Sequence, residues 1–208
     1  MNFFGHAVVA AWVDDDAAHV LGNMLPDFEA MVRVRLLGTS DLEVRRGIDL
    51  HHRTDEVFHR APLFISLNAR SLEELGASGV RRGTARAVAH IATEMFLDGW
   101  LASDSSRVER YLNALASDAN ERLQWQDGGT DYASLRGRLR AWGAPGDYAN
   151  RDFVLARLGD ALRGRPALAI VEDEADRVAR CLPSLQQRVQ HGARELLDQV
   201  RDALGFGD

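Results

Sequence analysis

Lysine is missing from this chain: all 25 basic residues among its 208 are arginine. That excludes Schiff-base chemistry and a lysine general base. Cysteine occurs once, at Cys181, so no internal disulfide can form and a reducing, cytoplasmic setting is the expectation. Cys181 stands before Leu182-Pro183 with no histidine near it in sequence, which reads as an inert thiol rather than a nucleophile. No apolar run reaches the length of a membrane span, and no alternating strand pattern or internal repeat stands out. Nucleotide loops, dinucleotide fingerprints, nucleophile elbows and paired-cysteine motifs are also lacking. A formal charge of −6 argues against a nucleic-acid polymer as partner, though not against small nucleotides.

What is present is helical periodicity throughout. The apolar start, Met1 to Val13, carries His6 and ends in Asp14-Asp15-Asp16 with no arginine ahead of it, so it reads as a first helix and not a signal peptide. A second helix is expected from Ala17 to Leu37, broken near Pro26. Ser40 with Glu43 has the pattern of a capping box for a helix reaching His59. Pro62 opens another, ended by the Gly76–Gly79 turn, and a long helix follows from Val80 to Ala102. Ser106 with Glu109 caps a helix to Arg122, and Thr130 caps one to Trp142 after the Gly128-Gly129 loop. Two or three more fill Asn150 to Leu204, with Pro166 and Pro183 as breakers. Linkers are short, so the expectation is one all-α domain over 1–208.

Two of these helices place a histidine and a carboxylate four residues apart, His51 with Asp55 and His90 with Glu94. Residues i and i+4 lie one above the other on a helix, so each pair aims a nitrogen and an oxygen at one region of space. His51 and Asp55 fall in the apolar stripe of Val44, Ile48 and Phe58, where an ionised aspartate needs a partner or a metal. Gly47 in mid-helix points to a second backbone passing close. The segment from Ala87 to Leu101 is apolar all round except for a stripe of His90, Thr93, Glu94 and Asp98. Taken together, the two faces are expected to frame one polar cavity. His52 and His59 lie toward the edge of the His51 face and are weaker candidates; His19 and His191 read as surface residues. Most arginines read as solvated. Arg53 offers a planar fork for phosphate, with a snorkelling surface arginine as the alternative.

Met1-Asn2-Phe3 with His6, Leu21-Gly22-Asn23 with Asp27-Phe28, and Gly47-Ile48 with His51, Arg53 and Asp55 resemble the acyl carrier protein phosphodiesterase family in order and spacing. Tyr148, Asp152-Phe153, Leu162 and Arg165-Pro166 with Leu168 resemble its C-terminal segment more loosely. The resemblance implies an all-helical fold related to the HD-domain phosphohydrolases. It also implies a divalent metal, manganese foremost with magnesium or iron as alternatives. The substrate implied is a small phosphoester or acyl carrier protein itself, cleaved at the phosphodiester that joins phosphopantetheine to serine. It supports His6, Asp27, His51 and Asp55 as site positions, with Asn23 and Arg53 beside them. Where the family carries Asp-His on its central helix this chain has Glu94-Met95, and His90 stands where the family has an aspartate one turn earlier. The expected metal set is therefore His6, Asp27, His51, Asp55, His90 and Glu94, with Asp55, Glu94 and Arg53 in catalysis. The division of Asp27, Asp55 and Glu94 between ligand and base stays open. A non-catalytic metal- or ligand-binding module and an HD-like nucleotide phosphohydrolase are the alternative readings, and the oligomeric state is not legible.

Overall fold

A computed structural model describes residues 1–206. Among them the order is α1 (Phe3–Val13), α2 (Ala17–Val32), β1 (Leu36–Thr39), α3 (Leu42–Arg60), α4 (Pro62–Ala77), α5 (Arg82–Leu101), α6 (Ser105–Ala116), β2 (Leu123–Trp125), α7 (Thr130–Trp142), α8 (Arg151–Leu162) and α9 (Glu172–Ala203). The all-α expectation holds. No helix among the described residues is long and apolar enough to cross a membrane.

The helices form two compact units, each discontinuous in sequence: residues 1–58, 101–145 and 201–206, and residues 59–100 and 146–200. In the first unit α2 packs against α1, α6 and α7. Phe3 lies 5.8 Å from Phe28 and 5.9 Å from Tyr111, ring centre to ring centre, and Phe4 meets Tyr111 edge-on at 5.3 Å. These rings are all but inaccessible, and each contributes roughly 1.5–3 kcal/mol by leaving water. The second unit is laced by glycines that let backbones or side chains press close. A Cβ on Gly99 would lie 2.6 Å from the Tyr148 carbonyl carbon, and one on Gly192 would lie 2.9 Å from a Leu63 methyl.

Several expectations are corrected. Helix α2 stops at Val32, where Arg33 turns left-handed at φ 59°, and the chain beyond it forms β1. This short strand pairs antiparallel with β2, Leu36 opposite Trp125 and Thr39 opposite Leu123; neither strand is long enough to display an alternating pattern. Likewise α6 ends at Ala116, and Ser117 caps a single 3₁₀ turn over Asp118–Arg122. Pro26 and Pro183 sit inside unbroken helices. Removing one ladder bond costs about 3 kcal/mol, and the buried stripes that run across both positions offset it: Met24, Leu25 and Phe28 in α2, and Cys181, Leu182 and Leu185 in α9. At α3, α6 and α7 the capping group is an aspartate rather than the expected hydroxyl. Asp41 accepts the amides of Glu43 and Val44 at 2.9 and 3.2 Å. Asp104 takes the Ser106 amide at 2.9 Å, and Asp127 takes those of Gly129 and Asp131 at 2.8 and 2.9 Å. A carboxylate suits the positive end of a helix better than a hydroxyl does.

Candidate metal centre

The first unit assembles its site where α2 and α3 cross. Gly22 and Gly47 meet there backbone to backbone: a Cβ on Gly47 would sit 2.2 Å from the His19 carbonyl oxygen, and one on Gly22 2.2 Å from that of Val44. The closeness that Gly47 implied is real, and it sets the next contact. The Asn23 carbonyl, one residue past Gly22, comes within 2.8 Å of His51 Nδ1, one turn past Gly47. A carbonyl only accepts, so Nδ1 carries the proton and Nε2 keeps a bare lone pair. The Asn23 side chain donates to the His6 carbonyl at 2.7 Å and fixes α1 against α2.

His6 is fully buried, its ring stacked on that of His51 at 3.8 Å. Its Nε2 lies 3.2 Å from Asp55 Oδ1, and the Met1 amino group lies 2.6 Å from the same oxygen. Burial works to raise the Asp55 pKa, but the His6 hydrogen bond and the Met1 charge outweigh it and hold the carboxyl well below its usual range. An ionised carboxylate accepts, so His6 donates from Nε2 and its Nδ1 is the bare nitrogen. That Nδ1 is buried without a hydrogen-bond partner. Burial pushes the His6 pKa down to about 3 against the opposing pull of Asp55, and burial also lowers that of His51. Both rings are therefore neutral at pH 7.

A nitrogen of His6, a nitrogen of His51 and a carboxylate oxygen of Asp27 lie within 4.8 Å of one another. Two neutral imidazoles and a carboxylate form a donor set that fits a divalent first-row ion. Asp55, 3.7 Å from His51 Nε2 and bonded to His6, holds the type of position that orients a ligating imidazole. Arg53 is exposed on α3, two residues from both His51 and Asp55.

The second unit gathers His90 and Glu94 with His59, a residue that the edge of the α3 stripe marked only weakly. Glu94 Oε1 lies 3.2 Å from His90 Nε2 and 3.3 Å from His59 Nε2. The two rings stack at 5.1 Å, with Phe64 edge-on to both at 5.3 and 5.4 Å. Burial works to raise the Glu94 pKa, yet the carboxyl is held well below its usual range with both imidazoles bonded to it. This trio also offers its ligand atoms within 4.8 Å of one another. Of the expected residues, His6, Asp27 and His51 offer ligand atoms to one group, and His90 and Glu94 offer theirs to another with His59. Asp98 and Thr93 are fully buried on α5. His19, read as a surface residue, is buried at 4% exposure in α2, because the glycine crossing brings α3 over it.

Comparison with known proteins gives one family. No curated protein and no solved structure matches the chain significantly. The family model described as acyl carrier protein phosphodiesterase matches residues 1–136, a stretch that includes every histidine and carboxylate of both clusters. The chain belongs to the acyl carrier protein phosphodiesterase family.

Proposed function

We propose that this protein is a metal-dependent phosphodiester hydrolase, related to the HD-domain enzymes, that releases phosphopantetheine from acyl carrier protein. The observation that carries the reading is the pair of buried, neutral imidazoles beside Asp27, inside the stretch that places the chain in its family. His6 Nδ1, His51 Nε2 and the Asp27 carboxylate would hold the ion. Asp55 keeps the His6 ring in its tautomer, and the Asn23 carbonyl does the same for His51. Two imidazoles favour manganese or iron over magnesium, which takes oxygen ligands. When bound, such an ion supplies Lewis acidity: it makes water more acidic and takes up charge on phosphoryl oxygens.

The Asp55 carboxylate is held so acidic that it serves better as an orienting group than as a proton acceptor. Glu94 is held low in the same way, and with His59 and His90 it offers a second set of nitrogen and oxygen donors. The reading assigns a second ion to that set. Arg53, exposed on α3, is left to contact substrate from the solvent side.

The test is metal content and turnover measured together. Wild type loaded with manganese should hold two ions per chain and hydrolyse bis(p-nitrophenyl) phosphate. His51→Ala should lose one ion and the activity while keeping its helical circular dichroism. A wild type that retains no manganese after desalting would overturn the reading. Binding of metal without any phosphodiester hydrolysis would instead favour the non-catalytic alternative, to which Met95, in place of the family histidine, lends support.

A further inference from the structure

Several arginines of this acidic chain are committed to carboxylates. Arg81 bonds Glu174, Arg188 bonds Glu74, and Arg163 bonds Asp160. Arg82, Arg86 and Arg165 are among the arginines that, within the described residues, have no ion-pair or side-chain hydrogen-bond partner, and what sets them apart is that all three border one groove of about 660 Å³ in the second unit. Its apolar wall is Ile91, Leu162 and Leu168, and His90 stands at its edge.

The groove is built rather than left over. Arg82 and Arg86 are one turn apart at the start of α5, while Arg165 and Leu168 come from the loop between α8 and α9. That loop is tied down on α5. A Cβ on Gly83 would lie 2.5 Å from the Ala167 carbonyl oxygen, so only glycine admits the loop there. Arg81 Nη2 donates to the Ala169 carbonyl at 2.6 Å, and Thr84 Oγ1 to the same oxygen at 3.3 Å. Glu174, buried at 1% exposure, accepts the Arg81 backbone amide at 2.7 Å and its Nε at 3.0 Å. One arginine is thus used to hold the loop, and three are left uncompensated around the result. The loop lies beyond the residues that the family model matches.

We propose that this groove is a binding site for a phosphate ester carried on an extended, partly apolar chain. The guanidinium forks take the phosphate oxygens, and the chain runs along Ile91, Leu162 and Leu168. The volume lies within the range of small-molecule sites. The choice of phosphate over carboxylate rests on the phosphoester reading above; the site itself does not.

The test is calorimetric titration with hexyl phosphate in EDTA, with inorganic phosphate, hexanoate and hexanol alongside. Chelation keeps the histidine clusters out of the measurement. Hexyl phosphate should bind more tightly than any of the other three. Arg86→Gln and Arg165→Gln should each weaken it roughly threefold to tenfold. Leu168→Ser should bring it toward inorganic phosphate, and His51→Ala should leave it unchanged. Neither arginine has a partner to lose, so both variants should melt with wild type; Arg136→Gln, on α7, serves as a charge control. Hexyl phosphate binding no more tightly than inorganic phosphate, or unaffected by the two groove variants, would overturn the site. Hexanoate binding as tightly would overturn the assignment to phosphate alone. An acidic helical peptide that binds where hexyl phosphate does not would overturn the proposal in favour of a protein partner. Loss of manganese-dependent turnover with hexyl phosphate binding intact separates a failure of the hydrolase reading from a failure of this one.

Discussion

Adding one methyl group at Gly47 tests the crossing on which the first cluster depends. Alanine in place of glycine inside an exposed helix is stabilising by roughly 0.5–1 kcal/mol. At Gly47 the new Cβ would lie 2.2 Å from the His19 carbonyl oxygen and 2.8 Å from the Asn23 amide nitrogen, so α2 and α3 would have to separate by roughly 1 Å. Both obstacles are backbone, and neither can rotate away. Overpacking of this kind costs about 1–3 kcal/mol, and loosening the Asn23–His51 hydrogen bond costs about 1 more. The methyl's helix-propensity gain offsets only part of this, so Gly47→Ala should destabilise by about 2 kcal/mol. For a chain of this size that is a melting point about 4–8 °C lower. Gly137 sits in α7 with nothing within 4 Å of where a methyl would stand, and Gly137→Ala should melt at or above wild type. Urea and thermal melts of the two variants decide the matter. A Gly47→Ala protein as stable as wild type would mean that the helices do not touch there, and the route by which Asn23 fixes the His51 tautomer would fail with it.

Acid should act on His6 in a definite direction. Its pKa is about 3 in the fold against 6.5 for the free side chain, so the unfolded chain takes up the proton first. Stability from this group is complete above about pH 6.5 and drains away as pH falls toward 3, by an amount on the order of a few kcal/mol. Melting curves across that window should slope for wild type and flatten for His6→Asn. Glu174→Ala should cost about 2–4 kcal/mol in chemical denaturation, because it strands Arg81 and its backbone amide; a loss under about 1 kcal/mol would show the loop anchor to be incidental. Tyr132→Phe should cost about 1–2 kcal/mol, since the Tyr132 hydroxyl donates to buried Asn120 Oδ1 while its ring stacks on Trp125 at 4.6 Å. An unchanged urea midpoint would refute that.

What the sequence made legible follows from how local each signal was. His51 and Asp55 stood out because one helix carries both, and Gly47 because a mid-helix glycine is costly without a reason. The bond between His6 and Asp55 joins residues 49 apart on different helices, and no periodicity announces it. Asp27 entered only through resemblance to a family. His59 reads only as a weaker candidate because it lies toward the edge of the stripe defined by His51, yet it meets His90 and Glu94. The strands were too short to alternate, and the cap positions were misjudged because a hydroxyl and a neighbouring aspartate compete for the same amides. Arg165 meets Arg82 and Arg86 only because Gly83 admits the Ala167 carbonyl, and a tertiary notch of that kind leaves no local trace.

A histidine–carboxylate pair retained only for core stability would use up its hydrogen-bonding capacity, since an unsatisfied buried polar atom is costly. The first cluster does the reverse. His51 uses Nδ1 on a carbonyl, His6 uses Nε2 on Asp55, and each keeps a nitrogen lone pair in a buried setting where protonation is unfavourable. Stacking the two rings at 3.8 Å adds a further penalty for charging either one. Every local cost here, from the mid-helix glycines to the orphaned His6 Nδ1, leads to neutral nitrogen donors beside a carboxylate. A packed core gains nothing from that arrangement, whereas a bound divalent cation would be stabilised by all of it and would turn the cost of the apo cluster into binding energy.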